Sequence, residues 1–172
     1  MVSLMDSPMR PPLIRKSPVD SPSTANGATF SWALISRELG ESSDGTINIA
    51  HLAVDRHARS TRAEKTAFRF LGADGSTRNV SYRELAGLTD RFGNTLKSLD
   101  VKKGDRVFVL CGRICELYVT VLGALKIGAV VSPLFQSFGP EPIRSRIGQA
   151  AGKVLVTTAS AYQRKVAALR AE

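Results

Sequence analysis

Across 172 residues, 43% of the side chains are hydrophobic, an ordinary share for a soluble globular domain and enough for one sizeable core. The formal net charge is +9, yet Lys and Arg are spread along the chain, aromatics make up only 6%, and no nucleic-acid motif appears, so no nucleic-acid partner is expected. Two cysteines, Cys111 and Cys115, cannot build a disulfide framework or, with His51 and His57 distant in sequence, a zinc site; buried thiols in a reducing cytosol are expected instead.

Residues 1–28 read as a tail. Pro8, Pro11, Pro12, Pro18 and Pro22 stand among Ser, Asp and Arg, with no apolar periodicity that could bury anything. No unbroken apolar run of the secretory kind is present, and Asp6 and Asp20 speak against a transit peptide, so a cytoplasmic location is expected. Residues 29–45 suggest a surface arm. Phe30, Trp32, Leu34, Ile35 and Leu39 form a short apolar cluster closed by Gly40, with Trp32 as its anchor, and the polar stretch 41–45 follows.

The domain proper is expected over residues 46–172. Its first element is a helix over 47–58, with Ile47, Ala50, Val54 and Ala58 on the inner face and Leu52 flanking. His51 and Asp55 make an i, i+4 pair, read here as a solvated helix face. Phe68 and Phe70 then alternate with polar neighbours, Asp74-Gly75 is a turn dipeptide, and Val80 lies on the return strand, which together predict a hairpin. Ser81-Tyr82-Arg83-Glu84 is a capping box. It opens a helix with the apolar stripe Leu85, Leu88, Phe92, Leu96 and Leu99.

The most informative stretch is 101–135. A turn at Lys103-Gly104-Asp105 leads into an almost wholly apolar strand, 106–110, of the kind covered on both faces in a parallel sheet. A helix from about Ile114 carries Leu117, Val121, Leu122 and Leu125, Gly128 stops it, and a second apolar strand occupies 129–135. A membrane span needs roughly 20 apolar residues. Lys126, Gly123, Gly128 and Pro133 all interrupt that reading, so no membrane partner is expected. Pro140 opens another helix with Ile143 and Ile147 inward and Arg144 and Arg146 outward, 153–158 is a third parallel strand, and a last helix bears Tyr162, Val166 and Leu169.

The expected class is therefore α/β: a β-hairpin followed by β-α-β-α-β-α units. Such sheets bind ligands at the carboxyl ends of their strands, here Cys111-Gly112-Arg113, Phe135-Gln136-Ser137 and Thr157-Thr158. None of these offers a nucleophile with a base, a metal cluster or a glycine-rich phosphate cradle. A thiolate at the helix start near Cys115 is physically possible but has no evident base.

In order and spacing, NIAHLAVDRHA, VSYRELAGLTDRFGNTLKSLDVKKGDRVFVL, RICELYVTVLGALKIGAVVSPLFQSFGPEPIRSRI and KVLVTT resemble the opening part of the acetyl-CoA synthetases, in the AMP-forming adenylate ligase superfamily. The resemblance implies a partial N-terminal domain of an adenylate-forming enzyme. Its chemistry would be attack of a carboxylate such as acetate on ATP, giving acyl-AMP and pyrophosphate, followed by displacement of AMP by CoA. ATP, CoA and magnesium are the implied cofactors. The family's phosphate loop, acyl pocket and catalytic lysine lie downstream of the matched region, so a fragment inactive alone is expected, with the remainder of the ligase as its partner; the alternative is a non-catalytic interaction or regulatory module. Within this chain the resemblance implies one contact, Arg164 and Lys165 near the 3′-phosphate of CoA. Where the family commonly has Arg-x-Pro-Glu, this chain has Arg113-Ile114-Cys115-Glu116.

Overall fold

The computed structural model describes residues 31–39 and 46–171. The expected tail and the whole polar stretch 41–45 lie outside the described residues, as do Phe30 and Gly40 of the expected arm. The chain divides into two units, Met1–Glu41 and Ser42–Glu172. In the first, the described residues form helix α1, Trp32–Glu38.

The second unit opens with a π-helical turn, His51–Asp55, that runs straight into Arg56–Ala58; together they are α2. The side chain of Asn48 sets its start, its Oδ1 accepting the N–H groups of Ala50 and His51 at 3.1 Å each. Ile47 therefore lies outside the helix and is 44% exposed, against the expectation that it faces inward. Ala50 and Val54 are buried as expected.

Strands β1, Thr66–Leu71, and β2, Thr77–Ser81, pair antiparallel, with Phe68 opposite Val80 and Phe70 opposite Arg78. At the turn, Asp74 Oδ1 accepts the Ser76 N–H at 3.0 Å and Gly75 takes a left-handed φ of 81°. Helix α3, Tyr82–Ser98, follows at once, and Ser81 Oγ accepts the Glu84 N–H at 3.1 Å. Half of the capping box is thereby formed. The Glu84 carboxylate faces Arg78 Nη2 at 3.4 Å, because β2 presents a cation beside the first turn.

The other end of α3 corrects the expected stripe. Leu99 is 55% exposed, since the helix stops at Ser98 and the chain reverses through Asp100, whose φ is 58°. The Asp100 N–H donates to Lys97 O at 2.9 Å and the Val101 N–H to Leu96 O at 3.0 Å, a Schellman ending with Asp in the usual glycine place. Val101 takes the buried position expected for Leu99, packing with Leu96.

Strand β3, Arg106–Leu110, is the centre of a parallel sheet of order β4-β3-β5, where β4 is Val130–Pro133 and β5 is Val154–Thr157. Helix α4, Cys115–Lys126, links β3 to β4, and α5, Pro140–Gln149, links β4 to β5. The first link steps to one side of β3 and the second steps back across it. With right-handed crossovers the two helices must lie on opposite faces. The core follows that division. Val107 joins Leu96, Val101, Ala124 and Ala129 under α3 and α4, whereas Phe108 and Leu110 join Leu134, Ile143 and Ala161 under α5. A final helical segment, α6, begins at Ala159–Ala161 and continues as a π-helical turn, Tyr162–Val166, and a 3₁₀ turn, Ala167–Ala171. The apolar strand expected over 129–135 ends at Pro133, and Phe135 stands exposed in the loop beyond.

Helices α3 and α4 approach closely. A Cβ at Gly123 would lie 2.8 Å from Thr89 O and 3.0 Å from the Phe92 ring, so only glycine fits. At the amino ends of the strands, Lys153 Nζ sits 3.0 Å from Asp105 Oδ2 and 3.3 Å from Asp100 Oδ2. The Lys102 N–H and then the Lys153 ammonium hold Asp105 below its ordinary 3.8. Lys102 and Lys153 likewise lower Asp100, and the bond to Asp105 raises Lys153 above 10.5.

Two outcomes are expected. Ser81→Ala, which orphans the Glu84 N–H, lowers stability by about 0.5–2 kcal/mol in urea unfolding, with an unchanged slope. The pH dependence has two limbs. Folded-state values below 3.8 mean that the stabilisation from Asp100 and Asp105 is present above that pH and lost as pH falls through the depressed values. The contribution of Lys153 is complete below 10.5 and lost as pH rises through its raised value. Asp105→Asn therefore flattens the acid limb of a midpoint-against-pH curve, and an unaltered limb would remove this cluster from the account.

Candidate functional site

The carboxyl ends of the strands gather the segments singled out in the sequence. The thiols of Cys111, at the end of β3, and Cys115, at the start of α4, are both buried and free. Burial pushes both above the usual 9.0, which leaves them as thiols and disfavours a thiolate nucleophile. They line a mostly apolar cleft of about 370 Å³ with Phe92, Val119 and Val156. Thr157 Oγ1 donates to Leu110 O at 2.9 Å, and Thr158 Oγ1 caps α6 by accepting the Ala161 N–H at 3.2 Å. Both hydroxyls serve the fold.

Beyond β4 the chain turns back on itself, the Phe138 N–H donating to Phe135 O at 3.1 Å. Phe138 packs edge-on against Phe135 at 5.4 Å and carries the Arg146 guanidinium 4.4 Å above its ring. Pro140 then opens α5, as expected from the sequence, with Gly139 before it. The two basic residues implied by the resemblance both lie on α6, in its π-helical turn beyond β5. Arg164 is exposed. Lys165 is half-buried, and its ammonium donates to the carbonyl oxygens of Gln136 and, at 3.0 Å, Phe138.

A second polar cluster lies between α2, α3 and α4, and it corrects the reading of His51 and Asp55 as a solvated face. His51 Nδ1 is 3.3 Å from Asp55 Oδ2, but Asp55 is only 15% exposed and its Oδ1 is 2.5 Å from Lys126 Nζ. Lys126, itself 9% exposed, also reaches Asp90 Oδ1 at 2.6 Å. Asn48 Nδ2 closes the arrangement by donating to Lys126 O at 3.0 Å, at the end of α4. Sequence reasoning used Lys126 only to argue against a membrane span and missed Asn48. The available signal was an Asn immediately before a helical pattern, the residue type that caps helices. Among the described residues, no three His, Cys, Asp or Glu side chains gather as a metal site, and no helix is long and apolar enough to cross a membrane.

A parallel sheet with helices on both faces and connecting loops at its carboxyl ends is the architecture of the doubly wound α/β domains, a class that receives ligands at that end. The chain matches the family model described as AMP-binding enzyme over residues 54–172, and it belongs to that family. It is 44% identical over 121 residues to an acetyl-coenzyme A synthetase of Methanothrix thermoacetophila, covering 70% of this chain and 18% of that protein. With the acetyl-coenzyme A synthetase of Bacillus subtilis it shares 37% identity over 136 residues, 78% of this chain and 24% of that one. The crystal structure of a Brucella canis acyl-CoA synthetase superposes with a TM-score of 0.70 at 32% identity, over 78% of this chain and 24% of that one. The chain thus spans about a fifth of the length of the curated relatives it matches. Its fold is that of the opening part of their N-terminal domains.

The ion cluster yields a stability prediction. Lys126→Met leaves the Asp55 carboxylate buried without its cation and destabilises the chain by about 3–5 kcal/mol. Lys126→Met combined with Asp55→Leu recovers most of that loss, because no charge is then left unpaired. Equilibrium urea unfolding of both variants checks it; equal losses would show that the ion pair itself, rather than the stranded carboxylate, sets the cost.

Proposed function

We propose that this chain is the N-terminal part of an acetyl-CoA synthetase-like acid–thiol ligase that joins acetate or another short-chain carboxylate to CoA at the expense of ATP, releasing AMP and pyrophosphate. The observation that carries the reading is the continuous family match over residues 54–172, together with relatives named as acetyl-coenzyme A synthetases. Acetate, ATP and CoA are the small-molecule partners of the complete enzyme, with magnesium accompanying ATP, and the setting is cytoplasmic.

The residues described here fit that scheme unequally. Stabilising charge on a transferring phosphate takes placed backbone N–H groups, Lys or Arg, and a metal ion. No Gly-rich loop ending in Lys occurs in the sequence, and Asp55, Asp90, Asp105 and Glu141 are engaged with lysines and arginines at structural points. The chain by itself is therefore inert in adenylation. CoA is the ligand for which it does carry groups, Arg164 and Lys165 forming the basic corner toward the 3′-phosphate. The remainder of a ligase is the macromolecular partner, and neither nucleic acid nor membrane enters the scheme.

Grafting tests the reading. Residues 54–158 are exchanged for the matching stretch of the Bacillus subtilis acetyl-coenzyme A synthetase, and acetate-dependent ATP–pyrophosphate exchange is measured. The expected result is exchange by the chimera and none by the 172-residue chain above a heat-killed control. Sustained exchange by the chain alone would overturn its assignment as an inert part. A folded chimera inactive with every short-chain acid would overturn the ligase assignment.

A further inference from the structure

We infer that Lys165 is a positioning residue that clamps the loop 135–139, leaving Arg164 as the phosphate-contacting member of the basic pair; the inference rests on the CoA reading above. The geometry separates two side chains that their adjacency in sequence makes look equivalent. Lys165 is half-buried and its ammonium bonds the carbonyl oxygens of Gln136 and Phe138, two residues of one loop. Hydrogen bonds from a charged donor are stronger than those between neutral groups, so two of them close this turn firmly. An ammonium has three donors. Two are committed here, and no carboxylate pairs with Lys165 among the described residues.

The loop it holds is crowded with consequences. Its Phe135 O accepts the Phe138 N–H, and Phe138 is fixed between Phe135 and the Arg146 guanidinium. The Gln136 side chain lies where a Cβ on Gly112 would meet its Nε2 at 3.0 Å, so the loop after β4 is seated against the loop after β3. Gly139 ends the loop and caps α5. Lys165 thereby sets the mutual position of two of the three strand ends where an α/β sheet receives its ligand. Arg164 has no such duties. It is exposed, makes no ion pair among the described residues, and keeps its planar fork of five donors for an anion.

The test uses the 172-residue chain and two readouts. In amide hydrogen exchange, Lys165→Met speeds exchange at residues 136–139 by about tenfold or more, whereas Lys165→Arg restores protection and Arg164→Gln does not alter it. Amides of β3 serve as the internal control for global unfolding. In equilibrium binding of CoA and 3′-dephospho-CoA, Arg164→Gln reduces a preference for CoA of about tenfold to about one. Lys165→Met weakens both ligands together and leaves their ratio unchanged. Unaltered loop exchange in Lys165→Met would overturn the clamp. Loss of the CoA preference in Lys165→Met would overturn the division of labour, making Lys165 a phosphate contact. A chain that binds neither ligand would defeat the CoA reading, while the exchange result would still decide whether Lys165 holds the loop.

Discussion

One ammonium joins the beginning of the domain to its helical layer. Lys126, in the last turn of α4, is enclosed by Asp55 from α2 and Asp90 from α3 and also donates to Ala86 O at 3.4 Å. Taking such charges from water is costly, and hydrophobic replacements of similar volume often serve stability as well. What the ion pairs supply is position. Oil-like contacts would let α2 slide over α3 and α4, whereas a buried cation accepts carboxylates in few places. The π-helical turn at His51–Asp55 has a role in this. It ends at Asp55, whose Oδ1 lies 2.5 Å from Lys126 Nζ. Asn48 then ties the start of α2 to the end of α4.

The same constraint explains which parts of the fold were legible in the sequence. Local rules carried the hairpin, the Ser81 cap, the Pro140 start and the apolar strand β3, since each depends on neighbours within a few residues. The failures at Leu99 and Ile47 also arise at element ends, where periodicity continues on paper after the backbone has turned. At Leu99 the turn is made by Asp100 in a left-handed conformation that Gly adopts routinely and Asp only occasionally, so the residue type announced it weakly. At Ile47 the cap was announced by Asn48, but the apolar pattern on both sides outweighed it.

The site was less legible, for a different reason. Residues 164 and 165 read as one basic pair because sequence shows charge and spacing, not the direction of a side chain. On a helical segment adjacent residues point roughly 100° apart. One therefore turns in to the loop after β4 while the other stays in water, and only the folded backbone distinguishes them. Likewise, Asp55 and Lys126 are 71 positions apart, so no window of sequence could pair them. The family resemblance supplied the downstream chemistry that residue-by-residue reading could not reach.

The net charge of +9 acquires meaning from where its partners lie. At the amino ends of the strands, Asp100 and Asp105 hold Lys102 and Lys153, and the cluster around Lys126 holds two further carboxylates. These lysines are cancelled close to where they stand. At the carboxyl ends Arg113, Arg164 and Lys165 have no acidic partner among the described residues, and Glu116 is the nearby acid along the chain. The basic excess is thus not a general attraction for polyanions, which would need a continuous basic stripe. At the amino ends Lys103 and Arg106 likewise have no carboxylate ion pair among the described residues, Arg106 bonding the carbonyl oxygens of Gly104, Ala150 and Ala151 instead, so the excess is shared by both ends of the sheet.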